Sequence, residues 1–168
     1  MEFEEQFVMK TKKLPKMDEK EILQLIKKQS LCRIAFRGNS YPHISPFQYV
    51  VIDGILYFHF TDYGKKIAFL RQDTPVCVEI EKYSQDFSKF AFVILQGKLK
   101  PVDDSIEKNM ALEKFSTEGK KNFSENFLLA HGLSSGSKWE DLTEKPLIIV
   151  KLDKVVKKTG LKSDNYEN

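Results

Sequence analysis

The chain has 168 residues, long enough for one domain with a sizeable core and too short for two comfortable ones, so 1–168 is read as a single domain. Its 27 basic and 24 acidic residues leave a formal net charge of +3, too weak an excess to argue for a nucleic-acid partner. With no long apolar run and no signal-peptide pattern at Met1-Glu2-Phe3-Glu4-Glu5, the expectation is a cytoplasmic protein that does not enter a membrane. Cys32 and Cys77 do not make a disulfide framework, and two cysteines with three histidines at no close ligand spacing predict no metal site.

In chain order, 1–16 is charged and is expected to form an arm. Asp18 followed by Glu21 reads as a capping box, and Ile22, Leu25, Ile26 and Gln29 form the stripe of a helix that packs across a barrel end. Leu31 to Phe36 is β-prone, and Arg37-Gly38-Asn39-Ser40 is a turn. His43 to Ile52 is a second strand, with His43, Ser45, Phe47, Tyr49 and Val51 on one face and Ile44, Pro46, Gln48, Val50 and Ile52 on the other. Pro46 cannot donate to a ladder, so this strand is expected to have an open edge or a bulge there.

Asp53-Gly54 is the strongest hairpin signal in the chain, because a type I′ turn needs positive φ at both central residues. The strand after it, Ile55 to Thr61, places Leu56, Phe58 and Phe60 on a wholly apolar face that fills the barrel; His59 and Thr61 end the opposite, outward face. Gly64-Lys65-Lys66 then opens a short helix. A phosphate placed there would meet free backbone N–H groups and an ammonium together. Pro75 to Ile80 and Phe90 to Val102 are further strands, and Asp103-Asp104-Ser105 caps a polar helix running to about Lys120. A short helix before a loop over Gly132 to Ser137 follows, then a closing strand from Leu147 to Val155 and a tail after Lys162 expected to be disordered. His131 receives no role.

The order of these pieces resembles the FMN-binding split-barrel proteins related to pyridoxamine 5′-phosphate oxidase, in the branch that includes nitroimidazole-resistance proteins. The resemblance is carried by Cys32-Arg33-Ile34-Ala35-Phe36, by Tyr41-Pro42-His43-Ile44-Ser45-Pro46-Phe47, and by Leu56-Tyr57-Phe58-His59-Phe60 with Gly64-Lys65-Lys66. It continues through Pro75-Val76-Cys77-Val78-Glu79-Ile80, Gln96-Gly97-Lys98, the lone Trp139, and the closing strand with Thr159-Gly160-Leu161-Lys162, so it spans nearly the whole chain.

The resemblance implies a mainly β fold, a six-stranded antiparallel split barrel with flanking helices, working as a homodimer with FMN in a cleft built from both chains. It implies that the backbone of Pro46, Phe47, Gln48 and Tyr49 lines the isoalloxazine ring, that His59, Thr61, Lys65 and Lys66 hold the ribityl phosphate, and that Trp139 approaches the flavin, in related proteins often across the dimer interface. The activity implied is oxidoreductase chemistry toward a small acceptor such as a nitroaromatic or quinone, with no side chain standing out as a general acid. Two alternatives belong to other classes: a flavin carrier or redox sensor without turnover, or a barrel binding haem or a deazaflavin. The chain has no Arg after Arg71, so it lacks the Arg- and Trp-bearing C-terminal motif of the true pyridoxamine phosphate oxidases, and their vitamin substrate is not expected.

Overall fold

The computed structural model describes residues 12–38, 40–72 and 75–166. The expected N-terminal arm therefore falls outside the described residues up to position 11, as do Asn39 of the expected turn and the last two residues of the tail. Helix α1 (Glu19–Lys28) starts on the complete capping box, with Asp18 accepting from the Glu21 backbone and the Glu21 side chain returning to the Asp18 backbone. Its Ile22, Leu25 and Ile26 are buried, as the stripe requires.

Among the described residues seven strands follow: β1 (Leu31–Phe36), β2 (His43–Gln48), β3 (Val50–Ile52), β4 (Ile55–Phe60), β5 (Pro75–Tyr83), β6 (Phe90–Pro101) and β7 (Ile148–Lys162). They form one antiparallel sheet in the order β2-β1-β5-β6-β7-β4-β3. The two end strands, β2 and β3, are the halves of the single stretch expected from 43 to 52. They part at Tyr49, whose backbone N–H leaves the ladder to donate to Ser30 O at 3.1 Å. The sheet thus curls until its ends meet in one continuous segment, and the seventh strand is the product of that break in a six-stranded barrel. Pro46, opposite Arg33 on β1, lies on the sheet's end strand, where a missing donor costs nothing.

Alternation places the core. Phe47 and Tyr49 with Leu56, Phe58 and Phe60 fill the barrel alongside Ile34, Phe36, Val78, Ile80, Val93 and Leu95. The Asp53-Gly54 turn has φ of 50° and 81°, the positive pair its sequence called for.

A second core lies outside the barrel. Helix α3 (Ser105–Asn122), capped by Asp104, lays Ala111, Leu112, Phe115 and Gly119 over Val50, Tyr57 and Ile149, and 3₁₀ segments at Glu125–His131 and Trp139–Glu144 complete it. Glu107 fastens this layer down: its Oε1 accepts from the Tyr57 hydroxyl and from Lys151 Nζ, both at 2.6 Å.

The closing strand is longer than expected, running to Lys162 instead of Val155. Lys154, at φ 48°, and a register shift between Gln96 and Lys98 on β6 bend it without ending it, so one strand serves β4 from Ile148 to Lys151 and β6 along most of its length. The chain beyond Lys162 is packed rather than disordered as far as it is described. Ser163 N donates to Phe90 O at 2.9 Å, and Tyr166 is 9% exposed within the barrel core.

Candidate functional site

Strands β2 and β4 and the start of α2 (Lys65–Arg71) bring one wall of a cavity of about 380 Å³ into place. Strand β2 supplies Ser45, Pro46, Phe47 and Gln48; β4 and the turn after it supply His59, Thr61, Tyr63 and Gly64; α2 supplies Lys66. The far wall is Phe127, Ala130, His131 and Gly132, from the second core. Its size falls in the range of small-molecule sites.

Of the residues expected from sequence, Pro46, Phe47, Gln48, His59, Thr61 and Lys66 line this cavity. Three expected residues lie elsewhere. Tyr49 points into the barrel, its hydroxyl donating to Ile26 O at 2.7 Å. Lys65 is exposed and borders no part of the cavity, because on a helix adjacent side chains point about 100° apart and Lys66 takes the inward position. Trp139 is 2% exposed inside the second core, does not line the cavity, and packs against His131 of its far wall with ring centres 5.4 Å apart.

His131, which carried no signal in the sequence, closes the site. Its ring stacks on His59 at 4.6 Å and 28°, with Phe115 edge-on to His59 at 4.9 Å. Its Nδ1 lies 2.9 Å from Phe127 O and its Nε2 2.8 Å from Gln48 Oε1. The only local hint was the following glycine, which adopts φ 77° to end the 3₁₀ segment.

Lys66 is the one charged residue among those lining the cavity, and among the described residues no carboxylate pairs with it. Its Nζ sits 4.8 Å from the centre of the Phe47 ring. Burial pulls its pKa below the ordinary lysine value. His59 is pushed down to about 3, first by burial and then by His131 and Lys66, and burial also lowers His131. Both imidazoles are therefore neutral at physiological pH, and neither is an acid able to give up a proton there.

A stability dependence follows. The unfolded chain binds a proton at His59 near its ordinary value of 6.5 and the folded chain does not until about 3, so stability is intact above about 6.5 and falls as pH drops through the window between them. The expected loss is about 1.4 kcal/mol per pH unit below 6.5, roughly 2–3 kcal/mol by pH 4.5. Urea denaturation across that range tests this, and His59→Gln should flatten the dependence. An equally steep fall in the variant would assign it to other groups.

A family model described as pyridoxamine 5′-phosphate oxidase matches residues 18–126. No curated protein matches the chain by sequence. Among solved structures, a FAD-binding protein from Mesorhizobium loti superposes with a TM-score of 0.64 at 16% identity, covering 89% of this chain and 96% of that one. A candidate 5-nitroimidazole antibiotic resistance protein from Bacteroides thetaiotaomicron gives 0.59 at 19%, covering 91% and 92%. A FAD and heme binding protein from Mycobacterium smegmatis gives 0.64 at 11%, covering 90% of this chain and 74% of that one. At these identities the likeness is one of fold.

Proposed function

The chain belongs to the pyridoxamine 5′-phosphate oxidase family, and from that premise we propose that its cavity binds FMN and that the protein is a flavin-dependent oxidoreductase acting on a small acceptor such as a nitroaromatic or quinone. The observation that carries the reading is Lys66: a half-buried cation facing a cavity whose described lining holds no anion. A buried charge without a partner is unfavourable, and a phosphate-bearing ligand supplies the missing partner. Neutral His59 and His131, Phe47, Phe127 and Pro46 give that ligand's ring an apolar and aromatic enclosure.

The flavin, when bound, supplies the hydride and electron transfer; this chain's residues bind it, orient it and limit water around it. His59 and His131, both lowered by burial, do not act as cationic proton donors at neutral pH. Among the described residues no G-x-G-x-x-G opens a helix, so a nicotinamide donor would visit the same cleft as the acceptor, in alternation, and steady-state kinetics would be ping-pong.

The test is to load the protein with FMN, reduce it anaerobically with dithionite, add a nitroimidazole or a quinone, and follow the return of the flavin absorbance. Faster reoxidation than free FMN supports turnover, and a rate equal to free FMN leaves a carrier or sensor. A sharp Soret band in the protein as purified would replace FMN by haem.

We further propose that the protein works as a homodimer. The outward face of β1, β5, β6 and β7 carries Leu31, Ala35, Cys77, Phe92, Ile94 and Leu161 around the ion pairs of Arg33 with Glu79 and Glu81, with Leu31 44% and Ile94 39% exposed. A sheet face of that kind is suited to a second copy. Light scattering at micromolar concentration should report twice the 19.5 kDa chain mass, with an interface above about 1,000 Å². A 19.5 kDa particle would defeat the dimer while leaving the cavity within one chain.

A further inference from the structure

Gln48 is 4% exposed, borders the cavity, and has a side-chain nitrogen with no hydrogen-bond partner among the described residues. Its other amide atom faces His131 Nε2 at 2.8 Å, while His131 Nδ1 lies 2.9 Å from the carbonyl oxygen of Phe127. A carbonyl only accepts, so Nδ1 must carry the proton, and a neutral imidazole then has a bare lone pair at Nε2. An amide oxygen opposite that lone pair would set two acceptors against each other and strand a buried NH2 as well. Half a turn of the amide, which leaves its shape unchanged, puts an N–H on Nε2 and the carbonyl oxygen in the unpartnered place.

A cationic His131 would satisfy the first arrangement instead. The groups facing His131 argue against it. From β4 comes His59, neutral and stacked at 4.6 Å; from α2 comes the ammonium of Lys66; Phe127 and Trp139 complete the surroundings without charge. Among the described residues no carboxylate faces the ring, and burial and the Lys66 ammonium both disfavour a positive charge there.

Resting on the FMN reading above, we propose that Gln48, oriented by His131, offers its side-chain carbonyl oxygen to the bound ring and so selects a ligand bearing an imide N–H. The oxidised flavin ring carries a single N–H, at N3 between two carbonyls. Gln48 is then a specificity residue and His131 its positioning residue.

The experiment titrates wild type, Gln48→Met and His131→Phe with FMN and with 3-methyl-FMN, following flavin fluorescence. Wild type should prefer FMN by about tenfold or more, the worth of one buried hydrogen bond, and both variants should lose the preference. Equal affinity of wild type for the two flavins overturns this contact and leaves the FMN reading standing. No binding of either flavin by wild type overturns both. Nitrogen NMR of wild type needs no variant to fold, and only three histidines contribute. It should find His131 neutral near pH 7 with its proton on Nδ1, and a cationic ring or a proton on Nε2 would overturn the proposal.

Discussion

Replacing Trp139 by alanine is expected to destabilise the protein by about 3–5 kcal/mol, the loss typical of removing a fully buried large aromatic. The indole is 2% exposed and packs edge-on to His131 at 5.4 Å and beside Phe123 at 6.1 Å. It also lies directly on α3 at Gly119, where an added Cβ would come within 2.1 Å of Trp139 Cε3. Two companion variants separate packing from chemistry. Because Trp139 Nε1 has no hydrogen-bond partner among the described residues, Trp139→Phe gives up no polar contact and should cost clearly less than the alanine change. Gly119→Ala should invert the usual helix result. In an exposed helix interior that change stabilises by roughly 1 kcal/mol, whereas here the methyl meets a ring that is itself buried, and overpacking of about 1–3 kcal/mol should prevail. Urea midpoints measure all three. A stabilised Gly119→Ala would show that the indole can move off the helix, and would remove the reason for expecting a large loss at Trp139.

Lys66→Ala is expected to weaken FMN binding roughly 10- to 100-fold, since a charge-assisted contact to phosphate is worth about 1.5–3 kcal/mol. Riboflavin, which lacks the phosphate, should bind wild type and variant about equally, so the effect resides in the difference between the two ligands. Lys65→Ala should change FMN affinity far less, because Lys65 does not border the cavity. In the absence of ligand Lys66→Ala should be close to neutral for stability: it gives up a contact with Phe47 at 4.8 Å, worth about 0.5–1 kcal/mol, and relieves the cost of holding a partly desolvated ammonium. Equal losses of FMN and riboflavin would point to a steric change and away from a phosphate site.

The barrel was legible because its information is local. Period-two alternation along Phe47, Tyr49, Leu56, Phe58 and Phe60, the Asp53-Gly54 turn, and the capping box at Asp18 each depend on residues a few positions apart, and each is realised as read. The near wall of the cavity was legible for the same reason. His59, Thr61, Gly64 and Lys66 fall within eight positions on one strand end and the turn into one helix, so strand parity alone aims the first two away from the barrel core. Lys65 was indistinguishable from Lys66 in sequence; helix phase separates them, and that phase is set by Ile67 turning inward to 7% exposure.

Contacts between distant segments decided the rest. His131 stands 72 positions after His59 and 83 after Gln48, and it reaches them because α3 and the 3₁₀ segment after it fold back over the outer face of β4. Only that covering turns an outward strand face into a cavity wall and leaves His59 partly buried. The length of β7 was hidden similarly: the strand was expected to end at Val155, yet β6 supplies hydrogen-bond partners on both sides of the bend at Lys154. Trp139 was legible as a large aromatic but not as the partner of Gly119, since nothing in either segment specifies which surface will leave room for an indole. Local alternation chose which side chains face inward. Long-range packing chose which outward ones are covered again, and the cavity is formed where those two selections meet.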